Sequence, residues 1–539
     1  MNTSLNRARR AAELAALDEV DVLVVGLGAT GAGAALDAAS RGLRVAAVES
    51  HDLAFGTSRW SSKMIHGGLR YLAQGQLGVA YESAVERGTL LTTTAPHLVR
   101  PQPFVLPLTP DVSAGKAAVT RIGLGLGDGL RLLAGTPGRV LPPPRRISAA
   151  ETLRLAPGLR SEGLRGGLRH WDGHVVDDAR LVVALARTAA GHGASILTRC
   201  RALSLGPVSV LRDELTGDTF EVRARAVINA AGVWAGQLDP TLRLRPSRGA
   251  HLVLPSALLG DPTAALNIPV PGERSRFVLV LPQGDGRTYV GLTDVPVDGD
   301  PPDVPVPSAE EVDFLLGAVR SVFATPIREE DVIGAFAGLR PLLAADGRTA
   351  DLSRRHAVRV SPTGAVTIVG GKLTTYRRMA ADAVEKAVAL AGLRCGPCVT
   401  RRLPLVGAGP VTGDPGGTGS FGGPGDPDGP GMGGRDTELP GALGGGDGVP
   451  GGGAGPGSGP GDVPARLVAR YGSEAALVAR GDLTPVAPGS EVTRAELDWA
   501  VRHEGALDEG DLLDRRTRIG LVPVDRAAAV PAARAALGN

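Results

Sequence analysis

The chain has 539 residues, room for two or three domains and a large core. Its 58 basic and 56 acidic side chains leave a net charge of +2, which points to no nucleic-acid partner. Three cysteines exclude a disulfide framework and fit a reducing cytoplasm, and no apolar run reaches the ~18 residues of a membrane span.

In chain order, Arg7, Arg9 and Arg10 precede AAELAAL, which predicts a short surface helix rather than a secretory segment. It is read as solvated, with a basic arm touching anionic lipid as the alternative. Residues 22–25 predict a buried parallel strand, and Gly26, Gly28 and Gly31 follow in G-x-G-x-x-G spacing. Gly26 permits the tight turn, Gly28 lets backbone approach a pyrophosphate, and Gly31 lets helix and strand pack closely. A helix is expected over 29–41 with Gly42 as its stop, then a second strand over 44–48. Glu49 ends that strand where a ribose hydroxyl needs an acceptor, which favours FAD or NAD over NADP.

Residues 55–72, FGTSRWSSKMIHGGLRYL, form a polar, loop-like stretch, and binding groups gather on such loops. Its hydroxyls and Lys63 offer donors to a cofactor diphosphate, and His66 with Arg70 suits a substrate. A polar loop with satisfied hydrogen bonds explains the same composition. Thr57-Ser58 and the run Ser61-Ser62-Lys63-Met64-Ile65-His66-Gly67-Gly68-Leu69-Arg70-Tyr71-Leu72 resemble the signature of FAD-dependent glycerol-3-phosphate dehydrogenases. The resemblance implies an α/β protein in three parts: a glutathione-reductase-like, Rossmann-type FAD-binding domain, an antiparallel-sheet substrate domain of D-amino-acid-oxidase type, and a small helical C-terminal domain. It implies cofactor contacts at Thr57, Ser58, Ser62 and Lys63 and substrate contacts at Arg70 and Tyr71.

Residues 73–150 read as mostly helical, then proline-rich at 142–144. The apolar stretch 121–135 is expected to be a packed helix weakened by glycines, with a membrane- or quinone-facing surface as the alternative. Asp177 or Asp178 should cap a helix ending near Gly191 or Gly193. Residues 220–235 predict an apolar strand running into Asn229-Ala230-Ala231-Gly232, whose small residues let backbone approach a cofactor. Ala230, Gly232 and Trp234 resemble the second nucleotide motif of this flavoprotein group, and two such strand ends favour FAD over NAD.

From 248 to 294, AHLVLP, RFVLVLP and TYVGLTD switch to strand patterning suited to a substrate sheet. His251 in R-G-A-H matches a family histidine and is a second candidate base beside His66. Ser308-x-x-Glu311 is a capping box for a helix to about 323. Arg340 lies among apolar neighbours, where burial without an anion is expensive, and matches the family's substrate-binding G-x-R-P-L arginine. Arg354 matches a second family arginine less securely, because Arg355 adjoins it. Over 366–392 strand, glycine turn and helix recur, and Gly370, Gly371, Lys372, Leu373 and Thr374 open a helix N-terminus able to stabilise an anion. The family shows G-G-K-L-T-T-Y-R here, and the chain reproduces it in full. Cys395 and Cys398, in C-G-P-C, lack the strand–helix setting of a redox pair and are read as a chance match.

The expected domains are an arm at 1–20, a discontinuous FAD-binding domain at 21–110, 160–247 and 330–395, and substrate or cap regions at 111–159 and 248–329. A Gly/Pro-rich disordered linker at 407–462 and a helical domain at 463–539, with a second capping box at Thr493-x-x-Glu496, complete the chain. The resemblance implies oxidation of sn-glycerol 3-phosphate to dihydroxyacetone phosphate by hydride transfer to FAD, with electrons passed to a membrane quinone. It further implies a cytoplasmic protein attached peripherally to the inner face of the cytoplasmic membrane. Arg70, Arg340, Arg354 and Lys372 offer cations to a phosphate dianion, and His66 or His251 titrates in the range suited to a hydroxyl proton. No metal site is expected. Quinone or oxygen as acceptor, the choice of histidine, and the oligomeric state, with a homodimer as candidate, stay open. An amine or amino-acid oxidase and a non-catalytic flavin- or NAD-binding module are the rivals.

Overall fold

The computed structural model describes residues 2–68, 71–72, 75–270, 273, 276–344, 355–410 and 463–538. Helix α1 (Arg7–Ala15) leads into β1 (Glu19–Val25), α2 (Ala29–Ser40) and β2 (Val45–Val48). Next come α3 (Leu77–Thr89), β3 (Val99–Pro107), α4 (Ala114–Leu133), β4 (Gly167–Val175), α5 (Asp178–Gly191), β5 (Ser195–Leu197) and β6 (Thr219–Asn229). Strands β7 (Ser247–Pro255), β8 (Ala265–Pro269), β9 (Phe277–Pro282) and β10 (Arg287–Gly291) precede α6 (Ala309–Val322). The chain then forms β11 (Gly334–Arg340), β12 (His356–Val360), β13 (Val366–Gly370), α7 (Tyr376–Ala391), α8 (Arg494–His503) and α9 (Pro523–Leu537).

Along its main path the first sheet runs β12-β13-β6-β1-β2-β5, parallel except for the edge strand β12, and Val208–Asp213 and Cys200–Ser204 add an antiparallel flank against β6. Its central strand is apolar on both faces because both are covered, and Val22, Leu23 and Val24 have no exposure. Eight of the 12 residues of α2 are Ala or Gly, which lets it lie close between α5 and α7. The second sheet is antiparallel in most of its pairs and runs β7-β10-β9-β8-β3-β4, with β11 added against β7. Its inner face packs on α6, where Leu315, Leu316 and Val319 are fully buried.

Several expectations meet their elements closely. Asp177 caps α5 by accepting from the Arg180 N–H at 3.2 Å, and both capping boxes form. Others are corrected. Residues 99–107, expected to be helical, are β3, which pairs with β4 along its whole length. Proline lacks a ladder donor, but β8 bonds β3 only at Phe104 and Val105, so Pro101 and Pro103 lie where that neighbour needs none. Trp171–Val175, just before the Asp177 cap, is the end of β4. Strands β3, β4 and β11 fall in spans expected for the FAD-binding domain but hydrogen-bond into the second sheet.

Helix α1 forms, but it is docked rather than solvated: Arg10 is buried and bonds Asp213 at 2.6 Å. Helix α4 buries only Leu124 and Arg131, while Val119, Ile122, Leu126 and Leu133 make an exposed apolar stripe at helical spacing. Among the described residues no helix is long and apolar enough to cross a membrane. The linker expected at 407–462 lies outside the described residues from 411 onward.

Candidate active site

The carboxyl ends of β1, β6 and β13 stand side by side, the place where open parallel sheets bind ligands. Gly26 has φ +96° and a Cβ there would lie 2.7 Å from the Ala230 carbonyl oxygen. A Cβ on Gly31 would sit 1.7 Å from the Gly26 oxygen, so the helix starts against the strand turn only because none is present. Gly28 is the N-cap of α2 and offers no side-chain acceptor to the free N–H groups. The Ser58 hydroxyl takes one of them, accepting from the Ala29 N–H at 2.9 Å. Glu49 ends β2 and accepts from the Leu27 N–H at 2.8 Å and the His51 N–H at 3.1 Å. Burial pushes this carboxyl up, and those hydrogen bonds counter it. Trp234 packs beneath Gly56, where a Cβ would meet its ring at 2.8 Å.

The loop signature ties this crevice to the second sheet. The Thr57 hydroxyl donates to the Leu339 carbonyl at 2.6 Å, and the Ser62 hydroxyl lies 2.8 Å from His251 Nε2. The His66 N–H donates to Thr374 Oγ1 at 3.2 Å, at the turn that opens α7. Residues 57–66 therefore touch the α2 N-terminus, the β7/β11 pair and the α7 N-terminus in one pass. Lys63 is fully buried, its ammonium bonding the Asp178 carboxylate at 2.8 Å and the Arg59 carbonyl at 2.8 Å. It is presented to a neighbouring carboxylate rather than to open space.

His251 stacks flat on Phe336, with ring centroids 4.7 Å apart. Burial, with the Lys63 and Arg340 cations adding to it, pushes its ring down to about 3, so it is neutral. Arg340 faces Ser247 across β7 and β11 and lies over Gly249, where a Cβ would meet its guanidinium at 2.3 Å. It donates to the Ser247 hydroxyl and the Thr293 carbonyl, each at 3.1 Å, with Asp294 at 3.9 Å. On the α7 side, the Lys372 ammonium sits 4.1 Å from the Tyr71 ring centroid and donates to the Ser83 hydroxyl. The Tyr71 ring in turn stacks with His66, at 6.3 Å between centroids. Burial pushes Lys372 down to about 8, with Glu82 and Asp172 pulling the other way. The site thus holds two cation-bearing walls, Arg340 with His251 and Lys372 with His66. Arg70 and Arg354 lie outside the described residues.

Reading the sequence missed the carboxylates that hold the loop. Asp178 receives Lys63 and both the N–H and hydroxyl of Ser61, while Asp172 accepts from the Gly67 N–H and pairs with Arg87 at 2.7 Å. The signal was available only as two acids after a tryptophan, in a stretch read for its helix cap.

The family described as FAD dependent oxidoreductase matches residues 21–377, and the C-terminal domain of alpha-glycerophosphate oxidase matches 398–537. Glycerol-3-phosphate dehydrogenase 1 of Mycobacterium tuberculosis (strain ATCC 25618 / H37Rv) is 52% identical over 547 residues, covering 99% of this chain and 98% of the relative. The chain belongs to the FAD-dependent glycerol-3-phosphate dehydrogenase family.

Glycerol-3-phosphate dehydrogenase 2 of the same organism is 37% identical over 536 residues, covering 94% of this chain and 82% of the relative. The solved glycerol-3-phosphate dehydrogenase from Bacillus halodurans, complexed with FAD, shares the fold: TM-score 0.69, 24% identity, 100% of this chain and 94% of that one. FAD is the family's cofactor, and the residues present fit it. The α2 N-terminus is open for a diphosphate, a carboxylate ends β2 for a ribose, and the Gly371–Thr374 turn leads a helix N-terminus into the crevice.

Proposed function

We propose that this dehydrogenase oxidises sn-glycerol 3-phosphate to dihydroxyacetone phosphate and passes the electrons to a membrane quinone. The observation that carries the reading is the single loop 57–66, which joins a dinucleotide crevice to two cationic walls. FAD supplies, when bound, the two-electron acceptor for the hydride on the substrate's secondary carbon. Gly26, Gly28, Gly31, Ser58 and Thr57 would hold its diphosphate and Glu49 its ribose, with Ala230, Gly232, Trp234, Ser62 and residues 371–374 lining the rest of the site, while buried Lys63 props the loop.

Arg340 and Lys372, with Arg70 and Arg354, bind the phosphate dianion. The planar fork of Arg340 is fixed by Ser247 and Thr293 and gives orientation, and Lys372 gives a point charge. His251 takes the hydroxyl proton: its ring is locked on Phe336 and a hydroxyl lies 2.8 Å from Nε2, the geometry such a transfer needs. His66 and Tyr71 position the substrate beside Lys372. Peripheral attachment to the inner face of the cytoplasmic membrane is supported by the exposed stripe on α4, flanked by Leu77 and Tyr81 of the neighbouring helix α3.

The C-terminal match to alpha-glycerophosphate oxidase keeps one second reading, oxygen as acceptor. Turnover of holoenzyme with a short-chain quinone analogue under argon, against turnover in air with peroxide assayed, separates them. Fast quinone reduction with little peroxide supports the dehydrogenase; stoichiometric peroxide at an equal rate supports the oxidase and defeats the quinone assignment.

A further inference from the structure

A cluster of buried charges outside the two walls lies behind the Glu49 turn. Asp52, three residues beyond Glu49, has no exposure and is gripped by two consecutive arginines from the far end of the chain. Arg515 Nε donates to it at 2.5 Å, and Arg516 donates to both oxygens at 2.7 and 2.9 Å. A second arm reaches the same turn. Arg199 donates its backbone N–H to the His51 carbonyl at 2.8 Å, and its guanidinium donates to Asp511 at 2.7 Å and to Asp508. Cys200, next in the chain, donates its N–H to the Glu49 carbonyl at 2.8 Å. Arg515 also pairs with Asp511 at 2.5 Å, which joins the two arms within the C-terminal segment Asp511–Arg516.

The turn so held contacts the first glycine loop directly. Glu49 accepts from the Leu27 N–H, and the Ala54 N–H donates to the Leu27 carbonyl at 3.0 Å. Phe55 closes the turn, stacked on His51 at 3.8 Å between centroids. Arg516 also donates to the Glu504 carbonyl, so the cluster is tied into the helical domain, and breaking such a buried cluster is costly.

We propose that the C-terminal segment Asp511–Arg516 is a clamp on the adenosine end of the FAD site. By fixing Asp52 and Arg199 it holds the Glu49 carboxylate in the position that receives the ribose, so the helical domain is part of the cofactor site. Asp52, Arg199 and Asp511 are positioning residues that act through Glu49, and the inference rests on the reading of Glu49 as the ribose acceptor.

The test measures FAD dissociation from holoenzyme by the recovery of free-flavin fluorescence after dilution. Asp52→Asn leaves two arginines short of a partner and is expected to fold poorly, so the milder variants are Arg199→Met and Asp511→Asn. The control is Glu474→Gln, which breaks a different ion pair of the same docking surface, Arg187–Glu474 at 2.6 Å, with no direct contact to Asp52, Arg199 or Asp511. Arg199→Met and Asp511→Asn are expected to speed FAD loss by about ten-fold, with Glu474→Gln unchanged at a similar drop in melting temperature. Equal FAD loss in all three, or none in the first two, overturns the clamp. A Glu49→Gln variant separates the premise. If it retains FAD as the parent does, the ribose reading fails and the clamp with it; if it loses FAD while Arg199→Met and Asp511→Asn do not, the clamp alone fails.

Discussion

Lys372 places a titration in the working range of the enzyme. Below about pH 8 its ammonium is charged and, in the role proposed for it, donates to phosphate; above that value the donor is lost. The profile of kcat/KM should therefore fall on an alkaline limb near pH 8 in the free enzyme, and Lys372→Met should remove the limb while raising KM. A limb that survives Lys372→Met would assign it elsewhere. Arg340→Lys keeps the charge but loses the fork held by Ser247 and Thr293, and should cost about 2 kcal/mol of substrate binding, roughly thirty-fold in KM. The two histidines separate by their kinetic signatures. His251→Gln should lower kcat by about 10²–10⁴ with flavin retained, whereas His66→Gln should act mainly on KM. These residues were legible in the sequence because their chemistry is carried by type and order: glycines at fixed spacing, an acid ending a strand, a GGKLTTYR run. Their separation into two walls was not, since it depends on Ser247 facing Arg340 across two strands 93 residues apart in sequence.

The elements explain what local pattern concealed. The α2 start tolerates no side chain at Gly31, and Gly31→Ala should yield protein that folds but retains no flavin. The first sheet announced itself because a strand buried on both faces is a continuous apolar run. Strand β3 did not, because its prolines suit an edge-like stretch beside β8 that only the sheet order reveals. Helix α4 was visible as an apolar stretch with two meanings, and its exposure shows that the stripe is not packed in the core: Val119 is 71% and Ile122 65% exposed. Ile122→Glu with Leu126→Glu should shift activity from the membrane fraction to the supernatant and cut quinone reduction, while reduction of a soluble dye is kept. Unchanged sedimentation of the double variant would rule out α4 as the attachment face.

At the scale of the whole molecule, buried ion pairs join regions hundreds of residues apart. Arg180 of α5 pairs with Glu504, and Arg470 pairs with Asp177 at 3.1 Å. Sequence could not pair these charges, since an arginine among many carries no mark of its partner. Burial alone would raise Glu504, but the Arg180 guanidinium overrides it and holds the carboxyl down to about 2. Burial would likewise raise Asp52, but the Arg516 and Arg515 guanidinium groups outweigh it and hold that carboxyl below its ordinary value. Carboxyls depressed in the folded state contribute stability above their ordinary value that is lost as pH falls toward the depressed one. The melting temperature should thus drop steeply below about pH 4.5, the ordinary value for Glu504, with the helical domain released first and FAD with it. A flat profile from pH 6 to 3 would contradict this account of domain docking.

The most direct measurement is the visible spectrum of purified holoenzyme under argon, recorded before and after addition of sn-glycerol 3-phosphate. The account predicts a bound-flavin spectrum that bleaches promptly, with one dihydroxyacetone phosphate formed per flavin. A flavin spectrum that sn-glycerol 3-phosphate leaves unchanged would contradict the substrate assignment while leaving the fold and cofactor in place.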